Sequence, residues 1–176
     1  MKKPGFSLLV KVILLQILFL ILHFMYDWAP SGFTALVSST NESVYQHMKV
    51  AFIVYLCLSL VEFAVFHRRI GAQARFLQTH ALVAVLFPLL VIPWYYMASA
   101  YCGRLPAIWM EILFANLATL LVSLTALQIE QHLANQEFNP GLKRLTLGLF
   151  LVTLSEFVIF NYRLPWLDLF AAPPGW

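Results

Sequence analysis

The chain has 176 residues, of which 61% are apolar and only 11% are charged. A soluble domain carries about 25% charged residues, so this chain has too few charges to cover the exterior of a soluble globule. The composition excludes an ordinary soluble enzyme and a disordered segment, and it leaves an integral membrane protein. The net charge of +3 is not concentrated in a basic stretch interleaved with aromatic residues, so we expect no nucleic-acid partner.

Five apolar stretches follow one another along the chain. Each is long enough to cross about 30 Å of hydrocarbon at about 1.5 Å per residue, and none alternates as a membrane β-strand does. The first stretch is longer than the apolar region of a signal peptide, so we interpret it as a retained span. The sequence therefore predicts an all-α bundle of five transmembrane helices that forms one integral membrane domain over residues 1–176. The predicted spans cover residues 6–26, 47–67, 76–99, 108–128 and 145–164.

The loop charges predict an orientation with the N-terminus inside and the C-terminus outside. Seven basic residues then lie on the inner side, namely Lys2, Lys3, Arg68, Arg69, Arg75, Lys143 and Arg144. Three lie on the outer side, namely Lys49, Arg104 and Arg163. We expect a multi-pass protein of the cell inner (cytoplasmic) membrane.

Turn residues agree with these boundaries. Residues 29–32 break the chain after span one, and residues 139–141 break it before span five. The stretch before span two indicates a helix start, with Asn41 as the N-cap and Glu42 in the first turn. Pro88 and Pro93 lie inside span three and predict a kink there.

Polar residues near the outer ends of the spans form the candidate site. His23 and Asp27 are four residues apart on span one, and Ser43 and His47 have the same spacing at the start of span two. In a compact antiparallel bundle these residues meet at the outer membrane face. The predicted outward-facing pocket consists of His23, Asp27, Asn41, Glu42, Ser43, His47, Glu111 and Glu156.

Glu156 lies near the middle of span five, where a charged side chain costs at least a few kcal/mol. We therefore expect Glu156 to face the bundle interior as the floor of the pocket, either protonated or paired with a polar group. The candidate partners on neighbouring spans are Gln16, Asn116 and Thr119.

The remaining ionisable residues of the spans have simpler interpretations. Lys11 is near the inner edge of span one and is expected to extend towards water. Glu62 lies close to His67, Arg68 and Arg69 and is expected to reach towards them, while His80 is interpreted as interfacial.

A divalent metal is a possible cofactor. His23, Asp27, Glu42 and His47 carry the donor types that such an ion uses, although they would have to come from different helices. Cys57 and Cys102 show no metal-binding spacing.

Two runs resemble a family of small bacterial integral membrane proteins that is known only as a domain of unknown function. The first is residues 23–28, and the second, more specific run is Asn-Glu-Ser-Val-Tyr-Gln-His-Met-Lys at residues 41–49. In that family a glutamate precedes the tryptophan of the first run, where this chain has Asp27, and the second run has tryptophan and glutamate where this chain has Tyr45 and Gln46.

The same family carries a late glutamate in span two, matched here by Glu62, and a Pro-rich tail with an aspartate, loosely matched by Asp168. The resemblance implies that the outer polar cluster is a feature of the family, and it implies no activity.

Three functions stay open at this point. In the first, the protein binds or transports a small solute, ion or lipid headgroup in the outer pocket. In the second, it is a metal-dependent enzyme that acts on a lipid or envelope substrate. In the third, it is a structural or accessory subunit whose polar residues hold helices together. The expected partner is the lipid bilayer, together with a second copy of the chain or another membrane subunit.

Overall fold

The computed structural model describes residues 5–103 and 105–172, and its regular structure over those residues is helical. The helices, in chain order, are α1 (Leu8–Trp28), α2 (Gly32–Val37), α3 (Val44–Phe66), α4 (Gln73–Cys102), α5 (Ile108–Leu133) and α6 (Pro140–Tyr162). A short 3-10 turn, Asp168–Phe170, follows α6.

All of these helices except α2 are long and apolar enough to cross a membrane, which confirms the prediction of five apolar helices. Several helices extend beyond the predicted spans: α5 continues to Leu133 and α6 begins at Pro140. These helices are longer than the predicted spans because a helix can continue past the hydrocarbon into the polar interface. Pro88 and Pro93 both lie inside α4. The inside or outside placement of each end stays a prediction.

The loop between α1 and α3 contains the short helix α2, which the sequence did not predict. A capping box starts it: the Thr34 amide donates to Ser31 Oγ at 3.1 Å, and the Ser31 amide donates to Thr34 Oγ1 at 2.9 Å. The predicted start of α3 was also wrong. Ser43, rather than Asn41, is the N-cap, and Glu42 therefore lies in the loop before the helix.

Helix α3 is the centre of the bundle. Val50, Phe52, Val54 and Tyr55 on it are all buried, and the helix packs against α4 and α1. Helix α4 also packs against α5 and α6, and α1 packs against α5. Helix α6 is peripheral, because among its residues only Thr146 and Phe157 are buried.

Lys49 is not a loop charge, as the orientation argument assumed. It lies within α3 and is 0% exposed. Its ammonium group donates to the Ala35 carbonyl at 2.7 Å and to Asn161 Oδ1 at 2.9 Å. These two acceptors replace water, so the side chain connects α3 with α2 and α6 instead of extending into solvent.

Candidate metal centre

Three of the predicted site residues come together at the end of the bundle where α1 ends and α3 begins. His23 is in the last two turns of α1, Glu42 is in the loop before α3, and His47 is in the first turn of α3. His23 Nε2 lies 3.2 Å from Glu42 Oε1, and His47 Nε2 lies 3.5 Å from Glu42 Oε2. The Glu42 carboxylate thus turns one oxygen to each imidazole. We call these three residues the His23 cluster.

The local fold fixes the orientation of His47. Its Nδ1 lies 2.8 Å from the carbonyl oxygen of Ser43, the residue that caps α3. A carbonyl oxygen only accepts hydrogen bonds, so Nδ1 carries the hydrogen and the neutral ring presents a bare Nε2 to Glu42. Asn41 supports the same turn, because its Oδ1 accepts from the Ser43 amide at 2.9 Å.

Aromatic rings enclose the two imidazoles. The centroids of His23 and His47 are 5.0 Å apart, and Phe19 stacks against both rings. Tyr95 of α4 closes the far side, with its hydroxyl donating to the Glu42 backbone carbonyl at 3.4 Å. The side chains of His23, His47 and Glu42 are 10%, 18% and 35% exposed, so only Glu42 has substantial access to water.

The pKa of the Glu42 carboxyl lies below its ordinary value. The main cause is the hydrogen bond that His23 donates to the carboxylate, and the positive charges of His23 and His47 in their protonated forms add to it, while burial acts in the opposite direction. Glu42 is therefore ionised at neutral pH and available as an anionic ligand.

The spacing of the donor atoms suits a tetrahedral metal ion. Two ligands at about 2.1 Å from zinc, separated by a tetrahedral angle, lie about 3.4 Å apart. The two His–Glu distances fall on either side of that value, and one ligand atom from each residue lies within 4.8 Å of the others. The three residues can thus hold a divalent ion after small side-chain movements.

Asp27, Glu111 and Glu156 do not join this cluster. Asp27 is exposed in the last turn of α1, and His23 pairs with Glu42 instead. Glu111 is half-buried in the first turn of α5, and no ion pair within the described part of the chain connects it to either histidine.

The expectation that Glu156 faces the bundle interior is wrong. Glu156 is exposed, whereas the next residue, Phe157, is buried. Successive helical residues differ by about 100° in direction, so a buried Phe157 turns Glu156 towards the outer surface of α6. Its expected partners are engaged elsewhere, because Gln16 Nε2 donates to Asn116 Oδ1 at 3.0 Å.

A second set of polar residues lies at the opposite end of α1 and α3, and the sequence argument missed it. Lys11, Glu62, His80 and Glu130 come from α1, α3, α4 and α5 and are all buried. Lys11 Nζ lies 2.6 Å from Glu62 Oε2 and 2.5 Å from Glu130 Oε1. We call these four residues the Glu62 cluster.

The expectations that Lys11 extends towards water, that Glu62 reaches towards the end of α3 and that His80 is interfacial were therefore wrong. Lys11 and Glu62 turn inwards to each other rather than to water or to the arginines at the end of α3. Glu130 escaped notice because span four was predicted to end before it. The sequence feature that could have revealed the cluster is that four ionisable residues lie at a similar depth on four different helices.

Five apolar helices with two such polar clusters define a multi-pass helical membrane protein whose ionisable groups meet at both ends of the bundle. The chain belongs to the DUF6512 family, a family of unknown function whose sequence profile matches residues 1–173. This confirms the expectation of a family of unknown function that covers most of the chain. No curated protein and no solved structure matches the chain.

Proposed function

We propose that this protein is a membrane protein that binds a divalent transition-metal ion, with Zn²⁺ as the representative ion, at the His23 cluster. The observation that carries the proposal is the convergence of two imidazoles on the two oxygens of one carboxylate, at separations close to those of tetrahedral zinc ligands. Two histidines and one glutamate leave a fourth position for water or an exchanging ligand.

The hydrogen bond of His47 supports this proposal. A metal-binding histidine ordinarily donates its other ring N–H to a backbone carbonyl or a carboxylate, as His47 does to Ser43. His23 Nδ1 is buried and has no hydrogen-bond partner among the described residues. When a metal replaces the hydrogen on Nε2, that hydrogen can therefore move to Nδ1 without breaking a bond there.

In the orientation that the loop charges predict, the His23 cluster faces the outside of the inner membrane. The N-terminus is then inside and the C-terminus outside. The half-exposed Glu42 lies in the loop that would receive the ion from the outer aqueous phase. The function that fits this placement is reversible binding or transport of the ion.

The metal content and zinc affinity of the purified protein in nanodiscs test the proposal. We expect one zinc per chain, and we expect His47→Ala and Glu42→Gln each to weaken binding by at least the roughly 10–100-fold that loss of an outer-shell partner costs. His67→Ala is the matched control, because His67 also bonds a helix carbonyl through Nδ1 but lies at the far end of α3. Equal zinc binding by the wild type and His47→Ala would overturn the proposal.

A metal-dependent enzyme that acts on a lipid or envelope substrate is the second candidate. The observation that favours it is the set of three donor residues, because catalytic zinc centres use three protein ligands and keep a fourth position for water or substrate. Zinc-loaded protein in phospholipid vesicles would then release a hydrolysis product, detected by mass spectrometry, and His47→Ala would abolish it. If the zinc-loaded protein leaves the lipids intact, the enzyme candidate is rejected and ion binding stays the proposed function.

A further inference from the structure

The Glu62 cluster brings two carboxylates together with one ammonium group. The side chains of Lys11, Glu62, His80 and Glu130 are 9%, 3%, 8% and 8% exposed. Lys11 is an ammonium donor, Glu62 and Glu130 are the acids, and these three alone sum to one negative charge. An uncompensated charge is costly inside a membrane, so the cluster requires one further positive charge or one proton.

His80 is placed to share such a proton. Its Nδ1 is 2.9 Å from the Phe76 carbonyl oxygen, so Nδ1 carries a hydrogen and a neutral ring would have a bare Nε2. That Nε2 lies 3.4 Å from Glu62 Oε2 and 3.7 Å from Glu130 Oε2. Two carboxylates and a nitrogen lone pair repel one another unless a cation lies between them. One proton shared by His80 Nε2 and the two acids removes this repulsion.

Hydrogen bonds hold the two carboxylates in place. The Tyr55 hydroxyl donates to Glu130 Oε2 at 2.8 Å, and the Phe6 amide donates to Glu62 Oε1 at 3.0 Å. These two hydrogen bonds, one of them from the buried Tyr55, favour the orientation in which both acids face His80. In this arrangement the two carboxylates and His80 Nε2 stay close together, and a proton between them offsets their repulsion.

A metal ion is a weaker explanation for this cluster. One ligand atom from each of Glu62, His80 and Glu130 lies within 4.8 Å of the others, as in the His23 cluster. Here, however, the Lys11 ammonium lies against both carboxylates, so only one further positive charge is needed and a divalent ion would leave the cluster at +1. A divalent ion would also meet the positive charge of Lys11 at close range, whereas a proton fits on Nε2 without moving Lys11.

Two clefts reach His80. A cleft of about 190 Å³ at this end of the bundle is lined by Arg75, Thr79, His80 and Asn135, close to the turn between α3 and α4. A larger cleft of about 510 Å³ is bordered by Lys143 and Arg144 of α6 and also reaches His80. The smaller cleft thus brings the His80 side chain close to the aqueous phase at this end of the bundle, while its Nε2 stays buried.

We propose that the Glu62 cluster is a proton-binding site that exchanges one proton, shared by His80 Nε2 and the carboxylates of Glu62 and Glu130, with the aqueous phase at this end of the bundle. The ionisable groups around that proton are Lys11 from α1, Tyr55 and Glu62 from α3, Arg75 from the start of α4, Glu130 from α5, and Lys143 and Arg144 at the border of the larger cleft. This site is separate from the His23 cluster and does not depend on metal binding there.

Two spectroscopic titrations of the full chain in nanodiscs test the proposal, with the proton itself as the probe. Nitrogen NMR of the histidine-labelled protein reports whether His80 Nε2 carries a hydrogen, and infrared difference spectra report protonated carboxyl groups. We expect one proton per chain to be taken up as the pH falls, seen as a His80 imidazolium or a protonated acid. Glu130→Gln should remove this signal, because Lys11 and Glu62 then balance each other. His80→Gln should abolish the imidazolium signal and leave the proton on a carboxyl group, and His132→Gln, at an exposed histidine of α5, should change neither.

The wild-type spectra alone can overturn the proposal, so it does not depend on the variants folding. A neutral His80 together with two ionised acids over the whole pH range would do so. A titration signal that persists unchanged in folded Glu130→Gln would also contradict it.

Discussion

Lys11 and Glu130 form a buried ion pair between residues 119 positions apart in the sequence, with Nζ 2.5 Å from Oε1. The pair joins the first turn of α1 to the last turns of α5, and Glu62 of α3 joins it from the other side of the ammonium group. The Lys11 side chain thus links three helices at one end of the bundle.

Removing the Lys11 charge should destabilise the protein strongly. Lys11→Met leaves two carboxylates facing each other in a buried site, and breaking a buried pair on one side typically costs about 3–5 kcal/mol. Thermal unfolding in detergent checks this. Lys143→Met, at an exposed lysine of α6, is the matched control and should be nearly neutral.

A second substitution should compensate for part of that loss. In Lys11→Met/Glu130→Gln one negative charge disappears together with the positive charge, so the double variant should be more stable than Lys11→Met alone. Equal stability of the single and double variants would contradict the charge pairing.

Gly5 should tolerate no side chain, because a Cβ there would lie 2.5 Å from Glu62 Oε1. The neighbouring Phe6 amide and Lys11 hold that carboxylate, so it cannot move away freely. We expect Gly5→Ala to lower the melting temperature. Gly148→Ala, where a Cβ meets nothing within 4 Å, should leave it unchanged or raise it.

Metal binding at the His23 cluster should weaken as the pH falls. Both histidines must be neutral to bind a metal, so protons compete with the ion for the ring nitrogens. Glu42 stays ionised to lower pH than an ordinary carboxyl because His23 donates to it, so the histidines determine the loss. Zinc affinity should thus be highest in neutral to mildly alkaline solution and fall as the solution is acidified. A pH-independent affinity would contradict histidine ligation.

Replacing Glu156 by leucine should stabilise the isolated chain. Glu156 is exposed on α6, and a charge that faces hydrocarbon near the middle of a span costs about 2.5 kcal/mol or more. We expect a higher melting temperature for Glu156→Leu than for the wild type, and no change in zinc affinity. Strong destabilisation would show that Glu156 has a buried partner after all.

The sequence predicted the five apolar helices because each long apolar stretch has only one way to satisfy its backbone in a bilayer. It also predicted the meeting of His23 and His47, since a short loop returns α3 beside α1. It missed α2 because six residues in a turn-rich loop show no apolar periodicity. It placed Glu156 on the wrong face because periodicity does not show which face of a peripheral helix packs against the bundle. The Glu62 cluster depends on the rotation of four helices, which is determined by packing and not by any local pattern.

X-ray absorption at the zinc edge of the zinc-loaded protein tests the central claim most directly, because it reads the ligands of the ion. We predict a first shell of nitrogen and oxygen atoms at about 2.0–2.1 Å, with the outer-shell scattering of two imidazole rings. In Glu42→Gln the two-ring pattern should persist with a changed first shell, and in His47→Ala one ring should be lost. A spectrum without imidazole scattering, or one that is identical in the wild type and His47→Ala, would contradict a metal site at His23, Glu42 and His47.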